Sequence, residues 1–214
     1  MSMKHQRIMR VIFLTLLALL GAESTIVGTS SDGGVTKVER TYLLSLLKSS
    51  ETSFVSSIAG LTKEQWTFKP SPDAWSIQEC AEHLILAEDL IFEESQKVLK
   101  TPPVARLSTA TIEGDRQIVD QMEDRSKKAK APKVLQPTDK FPTPESAAKQ
   151  FQIRRNKTIA YVKTTHDPLR IHAGDGPSGS PADVYQFLLE MAAHTLRHTA
   201  QIHDVKSALA YPSS

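Results

Sequence analysis

Three histidines have the residue type and spacing of a metal site. His194 and His198 are four residues apart, so on an α-helix both side chains lie on one face. His83, far upstream, would supply a third imidazole from a neighbouring helix. Three neutral imidazoles suit zinc, nickel or ferrous iron, and a three-ligand set leaves a coordination position open to water or substrate. If the metal is zinc, the pKa of such a water falls to about 7, which gives a nucleophile at neutral pH.

Polar residues near these histidines are candidates for orienting the rings. Glu79 precedes His83 by one helical turn, and Glu190 precedes His194 by the same distance. Gln201 follows His198 by one turn. Each of these three side chains could hold an imidazole by a hydrogen bond, as partners of metal-binding histidines do. The other interpretation is that they are solvated polar groups on the helix surface, which is their more frequent role.

For each of the remaining chemically active side chains, a structural or surface role is an alternative to a functional one. Cys80, the single cysteine, lies three residues before His83 and could be a fourth ligand or a reactive thiol, but a buried structural cysteine is commoner. His172 is interpreted as a solvated loop residue that could border the site. His166 and His203 have no partner at helical spacing and are predicted to lie on the surface. The three candidate ligands themselves could be satisfied core histidines.

Helix start signals predict three of the bundle helices, the second of which carries His83. Thr36-x-x-Glu39 has the spacing of a capping box and predicts a first helix over about 38–58. Ser76-x-x-Glu79 repeats that spacing and predicts a second helix over about 76–98. A third helix is predicted to begin near Thr143, with proline at its first position.

The last predicted helix carries two of the three histidines. It is expected to begin at Ser180, with Pro181 at the first helical position and Asp183 in the first turn, and to run to about residue 209. Its inward-facing stripe advances by three and four residues and comprises Phe187, Met191, His194, His198 and Ile202. Both histidines are therefore predicted to point toward the interior.

The order of these elements predicts the fold class. Residues 101–141 are polar and lysine-rich, with one weak helical segment at about 112–122, and are interpreted as a long crossover with a solvated surface. No convincing strand alternation is present. The sequence therefore predicts an all-α protein, a four-helix bundle with one long crossover connection. Bundles of this kind build metal sites from side chains on facing helices.

The N-terminus has the pattern of an export signal. Lys4, Arg7 and Arg10 precede a short apolar run over 11–20, followed by small residues. We predict a signal peptide over 1–22, a flexible polar spacer over 23–35 and the bundle domain over 36–210. The apolar run is shorter than the roughly 20 residues that a membrane span needs. The prediction is an exported protein, periplasmic or extracellular, with no stable membrane span after leader removal; an uncleaved N-terminal anchor is the alternative.

Charge, cysteine content and the absence of one motif count against three further possibilities. The formal net charge of the chain is +2, and residues 1–22 contain three basic and no acidic residues, so the remainder carries −1. Nucleic-acid binding therefore loses its main support, and no nucleic-acid partner is expected. A single cysteine permits no intramolecular disulfide. A Ser-His-Asp hydrolase is disfavoured because no G-x-S-x-G elbow is present.

The combined motifs resemble the DinB/YfiT-like family over about residues 36–210. The pattern is Trp75-Ser76-Ile77-x-Glu79-x-x-x-His83 on an early helix, followed near the C-terminus by His194-x-x-x-His198-x-x-Gln201. The resemblance implies an up-down-down-up four-helix bundle with a divalent metal at one end, held by His83, His194 and His198. Some relatives have a carboxylate where this chain has His194, so the all-histidine set is more similar to the YfiT-like branch. Homodimers are plausible for this family.

Two functional classes follow from this resemblance. Relatives include thiol-dependent transferases and proteins assigned as metal-dependent hydrolases, so the first expectation is a metal-dependent enzyme of hydrolase or thiol S-transferase type. Its partner would be a small-molecule substrate of unknown identity. The alternative is a non-catalytic metal-binding or structural bundle outside the cytoplasm, in which the same histidines stabilise the core.

Overall fold

The computed structural model describes residues 33–126 and 130–213. Within them lie six α-helices, one short 3-10 helix and a two-stranded sheet. The α-helices are α1 (Lys37–Ile58), α2 (Lys63–Thr67), α3 (Ile77–Val98), α4 (Ile112–Glu123), α5 (Pro144–Thr164) and α6 (Val184–Lys206). The 3-10 helix covers Lys133–Leu135, and the strands are β1 (Ala173–Asp175) and β2 (Pro181–Asp183). The predicted signal peptide and most of the predicted spacer lie outside the described residues.

Four long helices form the bundle, and this confirms the predicted fold class. Helix α1 packs against α5 and α6, and α3 packs against the same two helices, so α1 and α3 lie on one diagonal. Helix α4 lies within the long connection between α3 and α5 and packs against α6. The predicted crossover is therefore present, although part of it covers the bundle and is not a fully solvated loop. None of the helices in the described part of the chain is long and apolar enough to span a membrane.

Contacts along the helices give their directions. Arg40, near the start of α1, donates to the carbonyl of Val162 near the end of α5, so these two helices are antiparallel. The Tyr185 hydroxyl, at the start of α6, donates to the Glu39 carbonyl at the start of α1, so α6 runs parallel to α1. Arg155 of α5 pairs with Glu88 near the middle of α3.

Lys157 of α5, two residues after Arg155, lies over the ring of Phe92 of α3, four residues after Glu88. Because the contact positions advance in the same direction along both helices, α3 and α5 are parallel. The four bundle helices therefore run up, down, down and up in chain order, as the family resemblance implies.

Capping chemistry explains where the helices begin. Thr36 and Glu39 form the predicted capping box at the start of α1, and Ser76 and Glu79 form the predicted one at the start of α3. In each box the hydroxyl accepts from the backbone N–H of the glutamate, and the carboxylate accepts from the N–H of the cap residue. Thr143 caps α5, and Pro144 is its first residue, as predicted.

The prediction for the last helix is wrong at its N-terminus. Helix α6 begins at Val184, not at Ser180, and ends at Lys206. Pro181 pairs with Asp175 in the antiparallel sheet, and Asp183 is the helix cap, not a residue of the first turn. Asp183 and Gln186 form a complete capping box, in which each side chain accepts a hydrogen bond from the backbone N–H of the other residue. The box pairs N–H groups that have no partner within the helix, and it therefore sets the start of α6 at Val184.

A buried ion pair at the bundle centre joins all four long helices. Arg155 of α5 donates two hydrogen bonds to the Glu88 carboxylate, at 2.9 and 2.5 Å. Its other donors reach the Leu47 carbonyl and Ser50 hydroxyl on α1 and the Thr195 hydroxyl on α6. Arg155 is fully buried, so its charge is satisfied entirely inside the protein. Thr195 follows His194 directly, so its hydrogen bond with Arg155 also holds the segment of α6 that carries the histidines.

Candidate metal centre

The three predicted ligands converge on one point. The Nε2 atom of His194 lies 3.2 Å from Nε2 of His83 and 3.1 Å from Nε2 of His198. One ligand atom from each residue lies within 4.8 Å of the other two. Zinc–nitrogen bonds of 2.0–2.1 Å in a tetrahedron place ligand nitrogens about 3.3 to 3.4 Å apart, so modest adjustment would admit a cation. The spacing of the histidines thus fits a divalent metal.

Hydrogen bonds at the far side of two rings fix which nitrogen faces the site. Nδ1 of His83 donates to the carbonyl oxygen of Leu135 at 2.9 Å, and Nδ1 of His198 donates to Oε1 of Gln201 at 2.9 Å. A neutral imidazole that donates from Nδ1 has a lone pair on Nε2. Both rings therefore present an unprotonated nitrogen to the cluster, which is the arrangement that metal ligation requires.

Burial keeps these imidazoles neutral. It lowers the pKa of His198 to about 3, with the nearby imidazole of His83 as a further cause. Burial also lowers the pKa of His83, against the opposing effect of the Leu135 carbonyl, and lowers that of His194 well below its usual value. Neutral imidazole nitrogens crowded together in this way favour a cation at their centre.

Access to the cluster is uneven. His83 and His198 are buried, whereas His194 is partly exposed. The indole of Trp75 lies against two of the rings, with centroids 4.9 Å from His83 and 6.1 Å from His198. The indole therefore shields one side of the cluster.

Among the residues considered for orienting the rings, only Gln201 contacts a histidine. Glu79 is occupied by the capping box of α3 and by an ion pair with Lys69. Glu190 accepts hydrogen bonds from the backbone N–H and the hydroxyl of Ser178, and burial raises its pKa to about 7. Neither glutamate serves as the ring partner that its spacing suggested.

Cys80 is buried and lies outside the group of side chains that could hold a metal among the described residues. Burial raises the pKa of its thiol to about 12, which makes it inert and supports the structural interpretation. His172 is also buried, so its prediction as a solvated residue is wrong; its carbonyl accepts from Val184 N–H at the start of α6. His166 and His203 are exposed, as predicted.

Two partners of the site carry no signal in the sequence. Leu135 acts through its backbone carbonyl, which any residue type could provide. Glu82, next to His83, is fully buried and binds the crossover through its carboxylate. A glutamate on a helix is ordinarily solvated, so its burial becomes visible only in the fold.

Comparison with known proteins identifies the family. Residues 46–202, most of the chain, match the DinB superfamily. The chain belongs to this superfamily. It is 26% identical over 153 residues to the uncharacterized protein YuaE of Bacillus subtilis (strain 168), which covers 71% of this chain and 90% of YuaE.

A solved structure supports the same fold. YfiT from Bacillus subtilis is described as a probable metal-dependent hydrolase with an unusual four-helix bundle topology. It superposes with a TM-score of 0.56 and 11% identity, covering 86% of this chain and 94% of YfiT. The likeness of this DinB superfamily chain to YfiT is therefore one of fold.

Proposed function

We propose that this DinB superfamily protein is a metal-dependent enzyme of the hydrolase or thiol S-transferase type, with a small molecule as substrate. The observation that carries the proposal is the convergence of the Nε2 atoms of His83, His194 and His198. A closed structural site needs a fourth protein ligand, and among the described residues neither Cys80 nor Glu82, the neighbour of His83, belongs to the cluster that could hold a metal.

The chain's own residues hold and shape the site. The three histidines would bind a divalent cation, which supplies Lewis-acid chemistry by polarising a substrate oxygen and lowering the pKa of a water or thiol. Leu135 and Gln201 hold the rings of His83 and His198 in the tautomer that leaves Nε2 free. Trp75 restricts water on one side of the cluster, so a substrate would approach from another side.

Two further points support parts of this proposal. The fold neighbour YfiT is itself described as a probable metal-dependent hydrolase, which favours the hydrolytic reaction class. The leader pattern over 1–22 favours an exported protein, so the enzyme would act outside the cytoplasm.

A screen of activity on protein without residues 1–22 tests the enzyme class. Labile esters and amides would be offered to the zinc, nickel and ferrous forms, with and without small thiols. We expect turnover of at least one substrate class, abolished in His194→Ala while the variant keeps its helical circular dichroism. His203→Ala, an exposed histidine on the same helix, is the control and should keep full activity. Confirmed metal with no turnover across the screen would favour the non-catalytic bundle.

A further inference from the structure

The crossover is fastened to α3 beside a candidate ligand. We call residues 130–141 the strap; it contains the 3-10 helix Lys133–Leu135. The Leu135 carbonyl accepts the hydrogen bond from His83 Nδ1. The neighbouring Glu82 accepts hydrogen bonds from the Thr138 hydroxyl and from the backbone N–H of Lys140, both at 3.0 Å. Two consecutive residues of α3 therefore bind the same strap.

Glu82 depends on the strap for its hydrogen bonds. Its side chain is fully buried, and no Lys, Arg or His in the described part of the chain lies within ion-pair distance of it. An ionised carboxylate inside a protein is costly unless hydrogen bonds replace those to water. The two strap donors replace water at this carboxylate, so a substitution that removes either hydrogen bond weakens the docking of the strap.

A second anchor fixes the end of the strap. The Phe141 carbonyl accepts from Trp66 Nε1 at 3.1 Å and from Gln78 Nε2 at 3.2 Å. Gln78 lies one turn before Glu82 on α3, so these two side chains hold residues 138–141. That placement positions the preceding turn, and with it the Leu135 carbonyl, beside Nδ1 of His83.

We propose that Glu82 is a positioning residue for the three-histidine centre, and that strap docking and divalent-metal binding are coupled through it. Glu82 holds the strap, the strap supplies the Leu135 carbonyl, and that carbonyl fixes the tautomer and orientation of His83. Coupling between two binding events is reciprocal, so a metal at the histidines must also hold the strap more firmly. This inference rests on the proposed metal site.

The test compares Glu82→Gln with wild type. The glutamine keeps the volume of the side chain and an acceptor for the Lys140 N–H, but its amide nitrogen can only donate, so the Thr138 hydroxyl loses its acceptor and both contacts lose the carboxylate charge. Asp89→Asn is the matched control, because Asp89 lies on α3 and pairs with Arg154, away from the strap. Thr138→Val removes only the hydroxyl donor and serves as the milder variant should Glu82→Gln fold poorly.

Three measurements would be made on each protein. Zinc affinity is measured by competition with a chelator, and hydrogen exchange of the strap amides is measured with and without zinc. Long-range proton–nitrogen NMR of the metal-free protein gives the tautomer of His83. We expect Glu82→Gln to bind zinc about 10- to 100-fold more weakly. It should also lose the Nδ1–H tautomer and the zinc-dependent protection of the strap, whereas Asp89→Asn should match wild type.

The outcomes separate the inference from the function on which it rests. Zinc affinity and His83 tautomer unchanged in both Glu82→Gln and Thr138→Val would overturn the inference while leaving the metal site intact. Absence of zinc binding in wild type would instead contradict the proposed function. In that case the positioning role stands if the His83 tautomer changes in metal-free Glu82→Gln and falls if it does not.

Discussion

Oε1 of Gln201 lies 2.9 Å from Nδ1 of His198, three residues earlier on the same helix. Because this contact is made within one rigid element, it orients the ring before any ligand binds. His83 differs in this respect, since its Nδ1 partner comes from the distant crossover. One ligand is thus positioned by its own helix and another by a segment that must dock.

Removing the Gln201 acceptor should weaken metal binding. We expect Gln201→Ala to reduce zinc affinity about 10- to 100-fold, because the His198 ring loses the partner that fixes its tautomer. Gln201→Glu keeps an acceptor and should retain most of the affinity. His203→Gln, an exposed change two residues away, is the control. Competition with a chelator measures all three, and an unaltered affinity in Gln201→Ala would refute the orienting role.

Breaking the central ion pair should be costly. Arg155→Met strands the Glu88 carboxylate in the core, and we expect the free energy of unfolding to fall by about 3 to 5 kcal/mol. The double variant with Glu88→Leu should recover most of that loss, because no buried charge remains unpaired. Arg154→Met is the control: its pair with Asp89 is partly exposed and contributes about 0 to 1 kcal/mol. Urea unfolding measures the free energy of unfolding of each variant. If Arg155→Met loses no more stability than Arg154→Met, the central role of Arg155 is contradicted.

Glu190 should make stability depend on pH. Its folded-state pKa of about 7 lies above the ordinary value of 4.5, because burial disfavours the charged carboxylate. Its contribution is therefore complete below about pH 4.5 and is lost as pH rises through 7. The total effect is about 3 kcal/mol.

Unfolding free energies across this window test the effect of Glu190. Between pH 4.5 and 7, wild type should lose stability relative to Glu190→Gln, which has no carboxyl to titrate. Glu145→Gln removes an exposed carboxyl on α5 and should follow the wild-type curve. Parallel curves for wild type and Glu190→Gln would show that Glu190 titrates normally.

Cys80 should be dispensable for metal binding and unreactive in the folded state. Its thiol is buried with a pKa raised to about 12, so native protein should resist alkylation and react only after unfolding. Cys80→Ala should keep the zinc stoichiometry of wild type and lose about 1 kcal/mol of stability. If Cys80→Ala binds less zinc than wild type, the thiol is a metal ligand and this prediction is wrong.

Local sequence signals were sufficient to predict most of the fold. The boxes at Thr36 and Ser76 satisfy orphan backbone donors within four residues, so they mark helix starts without reference to tertiary structure. The same logic misplaced α6, because Ser180-Pro181 also has the form of a helix start. The competing box at Asp183 and Gln186, together with pairing of Pro181 in the sheet, decides the true boundary.

The clustering of the three candidate ligands and the contact of Gln201 could be predicted from the sequence, but the other groups that support the rings could not. The spacing of His194 and His198 on a helix face is a local property, and His83 joined them through the inward face of its own helix. The Leu135 carbonyl and the buried Glu82 depend on where the crossover docks, which no local pattern encodes. His172 was misjudged for the same reason, because a loop residue is buried only by its tertiary surroundings.

Metal content is the most direct test of the account. Protein without residues 1–22 and without a histidine tag would be assayed for bound metal beside His83→Ala and His198→Ala, after reconstitution with zinc, nickel or ferrous iron. We expect near one divalent ion per chain in wild type and almost none in either variant, with folding retained. Wild-type protein that binds no metal after reconstitution would contradict the central claim and leave the three histidines as core residues.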